Sequence, residues 1–254
     1  MTRTLLVPAA LLAAIGLVGC GNSKKDAQKG TGAPTPVKST EIAAGQEQNL
    51  IPLEKGNTWV FEVDASAQGP GGSQQNQTEV TFRITKVEDK PDGKYAYVDI
   101  FNDKDVKIEA IVWRLSDKGL FEMSDVRYKD KDDQSPAIPN NPPLPTILFP
   151  VDKGTESKQQ VTGLRPDGSK GPANVRVWSE GMQEIDTDIG RFSALAVTSE
   201  TNYTANKMEH AFGKKTWWVP EVGLARMVMS LTVTAPDGRQ LRQSSTLRLK
   251  SKSP

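Results

Sequence analysis

His210 is the sole histidine of this 254-residue chain, so an imidazole metal site or a nucleophile–base–acid triad would have to be built around it. One imidazole falls short of the nitrogen ligands that zinc sites usually gather. The stretch Asn206-Lys207-Met208-Glu209-His210-Ala211-Phe212-Gly213 brings no serine elbow beside it. The expectation is a surface histidine, exposed or hydrogen-bonded, with no catalytic part. Two acidic runs come next. Glu184, Asp186 and Asp188 recur at every second residue, which on a strand sets them on one face. Asp130, Asp132 and Asp133 sit among Lys129, Lys131 and prolines. Calcium takes about six to eight oxygens around a turn glycine at defined spacing. Neither run has that spacing, so one reads as a solvated strand face and the other as a solvated loop. A glycosidase pair of carboxylates needs a set separation across a cleft, which spacing along the chain does not supply. Gly69-Pro70-Gly71-Gly72 and Asp167-Gly168-Ser169-Lys170-Gly171 join no strand to a helix, so they read as hairpin turns or flexible loops, not phosphate cradles. No catalytic residue, metal ligand or cofactor follows from these residues.

Five tryptophans, at 59, 113, 178, 217 and 218, could fill the core of a lean β-domain or line a surface for an apolar ligand. Trp217 and Trp218 are adjacent, so on a strand they point to opposite faces. That pair is the candidate ligand or partner contact, with one ring in the core and the other at a groove or partner.

Cys20 is the sole cysteine. Before it stand a short start with one cation, Arg3, an apolar run from Leu5, and small Gly19. This is the order of a secretory signal, and the run is too short for a membrane span. Leu17-Val18-Gly19-Cys20 resembles the lipobox of bacterial lipoproteins, in which the cysteine is acylated and becomes the first mature residue. The resemblance implies an anchor of two or three acyl chains at Cys20. A domain held on the extracytoplasmic side of the cell envelope would follow, with the membrane as its partner through that lipid. A thiolate nucleophile is a poor rival reading, because it needs a partner base in a folded pocket.

Removing residues 1–19 takes away Arg3 and no acid, which leaves 31 bases and 31 acids. A chain so balanced has no electrostatic reason to seek nucleic acid. Without a second cysteine no disulfide staples the fold. Residues 20–48 are Lys, Ser, Thr, Gly, Pro, Ala and Gln with hardly an aliphatic, too polar to offset their ordering entropy. They read as a tether between lipid and domain.

From residue 49 to 254 a single domain is expected, and its pattern is that of strands. Val80, Phe82 and Ile84 alternate with Thr81, Arg83 and Thr85, and Pro91-Asp92-Gly93 supplies a tight turn. Asp117-Lys118-Gly119 and Ala235-Pro236-Asp237-Gly238 punctuate later hairpins in the same way. Residues 174–178 and 182–186 read as two separate strands. Asp130 to Pro145 holds five prolines, so a loop or extended arm is expected there. No apolar run at helical spacing follows the signal. A dozen or so strands with short turns give a mainly β fold: a curved antiparallel sheet, a half-barrel or a sandwich. A doubly wound fold is excluded.

Three segments carry a further resemblance. Ile51-Pro52-Leu53-Glu54-Lys55-Gly56-Asn57-Thr58-Trp59-Val60-Phe61 is similar to the "P-L-x-x-G-x-x-W-x-Y" opening of a set of bacterial envelope lipoproteins. Thr187 to Leu195 is similar to their "x-x-G-x-F-x-A-L" strand entry, and Trp217 to Arg226 to their "W-x-x-P-x-V-G-L-V-K" hairpin. These domains look like relatives of the half-barrels of Lol-type lipoprotein carriers. The matching positions are turns and core aromatics, so the resemblance implies a fold and no site residue. The function expected is that of a non-catalytic, monomeric, lipid-anchored envelope protein binding an apolar ligand or an envelope protein. The rivals are a structural subunit of an envelope assembly, marked by exposed edge strands, and a hydrolase using carboxylates on a concave face.

Overall fold

The computed structural model describes residues 47–69 and 72–253. Cys20, the expected signal and the expected tether up to residue 46 lie outside the described residues. A short 3-10 turn, Glu47–Leu50, precedes twelve strands. They are β1 (Thr58–Gly69), β2 (Gly72–Lys90), β3 (Gly93–Asn102), β4 (Lys107–Ser116), β5 (Gly119–Arg127) and β6 (Ile138–Leu148). β7 (Glu156–Leu164), β8 (Lys170–Thr187), β9 (Gly190–Ala205), β10 (Met208–Val219), β11 (Gly223–Thr234) and β12 (Gln240–Ser253) complete the set. Each pairs antiparallel with its neighbours in sequence, and β1 pairs with β12, so the sheet closes into a barrel. The all-β antiparallel class is as the patterning predicts, with the curvature carried to full closure.

Alternation decides which face is the core. On β1, Trp59, Phe61 and Val63 are buried, while Thr58, Val60, Glu62 and Asp64 lie on the other face. The inward rings meet edge to face, Phe61 against Phe82 at 5.1 Å between centroids. Outward positions carry charge: Arg248 pairs with Glu62 and with Asp64, and Lys250 with Glu79. Apolar-in and charged-out is the reverse of a membrane-spanning barrel.

One end is stoppered. Leu50, Ile51 and Leu53 are at most 3% exposed, and the stopper is tied in by Glu221 N–H donating to the Asn49 carbonyl at 3.0 Å. The Trp59 indole N–H donates to the Val222 carbonyl at 2.6 Å, and the Asn57 side-chain amide donates to the Pro52 carbonyl at 2.7 Å. The described chain both enters and leaves at this end. The β1–β2, β7–β8, β9–β10 and β11–β12 turns lie at the other, as does the β5–β6 loop with Asp130, Asp132 and Asp133.

Two expectations are corrected. The proline-rich stretch ends in a strand, β6, not a loop throughout: residues 138–148 pair with β5, with register shifts at Leu120/Phe121 and Glu122/Ser124. Missing proline donors show instead on its other side, where β6 meets β7 through the single pair Asn141–Thr162 and the Gln159 amide donating to the Pro143 carbonyl at 3.0 Å. Residues 174–178 and 182–186, read as separate strands, are one strand β8, bulged between Ser179 and Gly181. That bulge redirects the β8–β9 hairpin. Its tip reaches β12, where Asp188 N–H donates to the Leu249 carbonyl at 3.3 Å. The hairpin therefore passes outside β10, and its own Ile185, Phe192 and Ala194 are buried at 4%, 8% and 0% exposure on the face that also meets Trp217 through Gln183.

Candidate functional site

Above the stopper the barrel holds a cavity of about 150 Å³. Its lower wall is apolar, formed by Trp113 on β4, Trp218 on β10, Leu224 and Met227 on β11, and Ile111 on β4. Trp113 and Trp218 pack edge to face at 6.0 Å and 68°, and the Trp218 indole N–H donates to Thr216 Oγ1 at 2.9 Å. A cavity of this size with such walls is comparable to one that accepts a benzene-sized guest.

Its upper wall is charged. Inward positions of β4 and β5 form cross-strand rows, in which Ile100, Glu109 and Arg127 are successive partners, as are Val98, Ile111 and Asp125. Glu109 and Asp125 are thus diagonal neighbours facing the lumen, each 5% exposed. Arg127 Nε stands 3.9 Å from Asp125 Oδ2, and its Nη1 donates to the carbonyls of Pro166 at 2.9 Å and Arg165 at 3.3 Å. Glu122 is held by the Asn140 amide at 3.2 Å, and Lys214 on β10 lines the same wall. Burial penalises the charged forms, so both carboxyls rise. Asp125 rises well above the ordinary aspartate range, first through burial and then through Glu109 and Glu122. Glu109 is raised by burial against the opposing pull of Arg127. Three polar atoms on this wall are buried without a hydrogen-bond partner among the described residues: Asp125 Oδ1, Arg127 Nε and Thr146 Oγ1.

The residues singled out from sequence fall in different places. Trp218 is 2% exposed and lines the cavity. Trp217 points outward as adjacency requires, yet it is 8% exposed, because the β8–β9 hairpin covers it. Its indole N–H donates to Gln183 Oε1 at 3.1 Å, with Lys215 Nζ and Arg226 Cζ at 5.0 and 5.1 Å from the ring centroid. It meets no groove. His210 is not a surface residue: it is 4% exposed and stacks on Tyr203 at 4.5 Å and 15°. Neither ring nitrogen has a partner in good hydrogen-bond geometry among the described residues, and burial lowers its pKa. Glu184 and Asp186 lie in solvent with Arg191 as their partner, and Asp130 and Asp133 of the β5–β6 loop cap their own turns. Cys20 lies outside the described residues.

Glu109, Asp125 and Arg127 were not legible as a site. On β4, Ile108, Ala110 and Val112 alternate with Ile111 and Trp113, so both faces look apolar. On β5 the register slips between Val112 and Trp113 of its partner, and this extra residue, Met123, reverses which parity faces inward. A charged residue inside an otherwise apolar strand pair was the one signal present.

No family model matches the chain, and no curated protein matches it. Solved structures do show likeness. One is a protein described as exported, with a YmcC-like fold, from Bacteroides fragilis, at 12% identity and TM-score 0.43, covering 80% of this chain and 98% of that one. A second is described as a lipoprotein from Parabacteroides distasonis, at 13% identity and TM-score 0.41 over 80% of this chain and 98% of that one. A third is the hypothetical lipoprotein YmcC from Escherichia coli, at 9% identity and TM-score 0.34 over 84% and 91%.

Proposed function

We propose that this chain is a lipid-anchored protein of the bacterial cell envelope whose barrel takes a small apolar ligand into its interior, without catalysis. The observation that carries the reading is the cavity of about 150 Å³ above the stopper, walled by Trp113, Trp218 and aliphatic side chains. Its volume suits a single ring or a short branched chain, and a whole diacyl lipid is far too large. The lipobox-like Leu17 to Cys20 supports the anchor. With the described chain entering at the stoppered end, an anchored barrel would turn its other end, with the β7–β8 turn at the cavity's rim, away from the bilayer. Glu109 and Asp125 stand side by side on one wall, each 5% exposed, and are assigned no hydrolytic role.

Toluene is the probe. A ligand that binds only the folded state stabilises it by about 2.7 kcal/mol at a hundred times its Kd. Toluene should therefore raise the melting temperature and change the tryptophan fluorescence in a saturable way. An unchanged melting curve at toluene's solubility limit refutes the reading.

A further inference from the structure

Resting on the reading that the lumen binds a small apolar ligand, we infer that its charged wall is built for one head group: a protonated amine carried on a compact apolar body, which takes the place of a proton held between Glu109 and Asp125. Three observations converge on it.

The first is charge count. The acids facing this wall are Glu109 on β4 and Glu122 and Asp125 on β5; the bases are Arg127 on β5 and Lys214 on β10. β6 contributes only the neutral Asn140 and Thr146 there, and β9 only Ser199 and Thr201. Arg165 touches the rim, where its guanidinium lies 5.0 Å from the Tyr203 ring centroid and bonds the Pro172 carbonyl at 2.8 Å. The wall proper therefore carries one more acid than base. Buried charge is costly unless compensated, so the empty barrel balances by holding one proton, and the adjacent Glu109 and Asp125 are where it sits. Their raised affinity for a proton accords with this.

The second is the unmet hydrogen bonding. Asp125 Oδ1 and Thr146 Oγ1 are buried without partners among the described residues, on residues 5% and 8% exposed. A carboxylate oxygen accepts and a threonine hydroxyl can accept as well as donate, and an ammonium offers three donors and no acceptor. A carboxylate head would instead meet three acids. The third is the opposite wall, where Trp113 and Trp218 present ring surface to the ligand's apolar body. The exchange balances in atoms and charge: the singly protonated pair plus an ammonium gives the ionised pair with the ammonium bound, and one proton passes to solvent.

Isothermal titration of the lipid-free chain with benzylamine, toluene and benzoate tests this, run in two buffers of different ionisation enthalpy. Expected is benzylamine at least ~10-fold tighter than toluene at pH 8, with about one proton released per molecule bound. Its affinity should fall by about tenfold per pH unit once the pair is protonated in the free protein. Asp125→Asn and Glu109→Gln should each remove the preference, bringing benzylamine down to the level that the same variant shows for toluene. Proton release in the unaltered protein needs no variant and stands even if one variant fails to fold. Benzylamine no tighter than toluene, benzoate tighter than both, or no proton released overturns the amine assignment while toluene binding still upholds the cavity reading. If neither toluene nor benzylamine binds, the cavity reading itself falls.

Discussion

Truncating Trp218 to alanine should be among the most damaging single changes in the barrel, and Trp217 beside it should be distinctly milder. Trp218 is 2% exposed, so its ring loses its whole apolar contact surface; large aromatic truncations in cores cost about 3–5 kcal/mol. The edge-to-face contact with Trp113 at 6.0 Å adds weight, since such pairs contribute about 0.5–1.5 kcal/mol beyond their area. The orphan term is small, because Thr216 Oγ1 still donates to the Val197 carbonyl at 3.4 Å. The space vacated opens into the existing cavity, and empty volume costs about 2.4 kcal/mol per 100 Å³. Together these set the expectation near the top of the range, about 4–5 kcal/mol. Trp217 covers the outside of the barrel, where water can refill part of the space and Lys215 and Arg226 can re-solvate, so about 2–3 kcal/mol is expected. Urea unfolding of the chain lacking residues 1–20 measures both. A second readout separates them: only Trp218→Ala should admit a ligand larger than toluene, such as naphthalene. A loss at Trp218 below about 1 kcal/mol, the usual mutational mean, or an unchanged ligand-size limit would refute the placement of this ring.

Asp125→Asn should stabilise the fold at neutral pH. The folded pKa of Asp125 lies well above its ordinary 3.8, so its contribution is fully present below that value and is lost as pH rises through the folded pKa. Denaturant curves should converge near pH 3.5 and separate, variant above wild type, by pH 7. His210 has the opposite sign: burial lowers its pKa from 6.5, so its contribution holds above 6.5 and is lost as pH falls toward the folded value. His210→Phe should flatten that loss between pH 6.5 and 5 in the same assay. Cys20→Ser should abolish incorporation of a fatty-acid analogue in cells, and equal labelling of variant and wild type would overturn the lipobox reading.

Local chemistry was enough to settle the class of fold. Alternation such as Val80-Thr81-Phe82-Arg83-Ile84, and turns at Asp92-Gly93 and Asp237-Gly238, act over a few residues and need no knowledge of the rest. Closure was beyond their reach. The pairing of β1 with β12 sets Glu62 against Arg248, 186 residues away, and nothing near either residue announces the other. β6 was hidden because proline propensity argues against a strand, and pairing to β5 along one edge overrode it. The burial of Trp217 follows from a bulge at Glu180 that folds a distant hairpin across it. The Glu109–Asp125 pair was hidden most deeply. Whether a carboxylate faces water or the lumen depends on strand parity. One inserted residue in β5 reverses parity, so only the assembled barrel could decide that two acids meet in its interior.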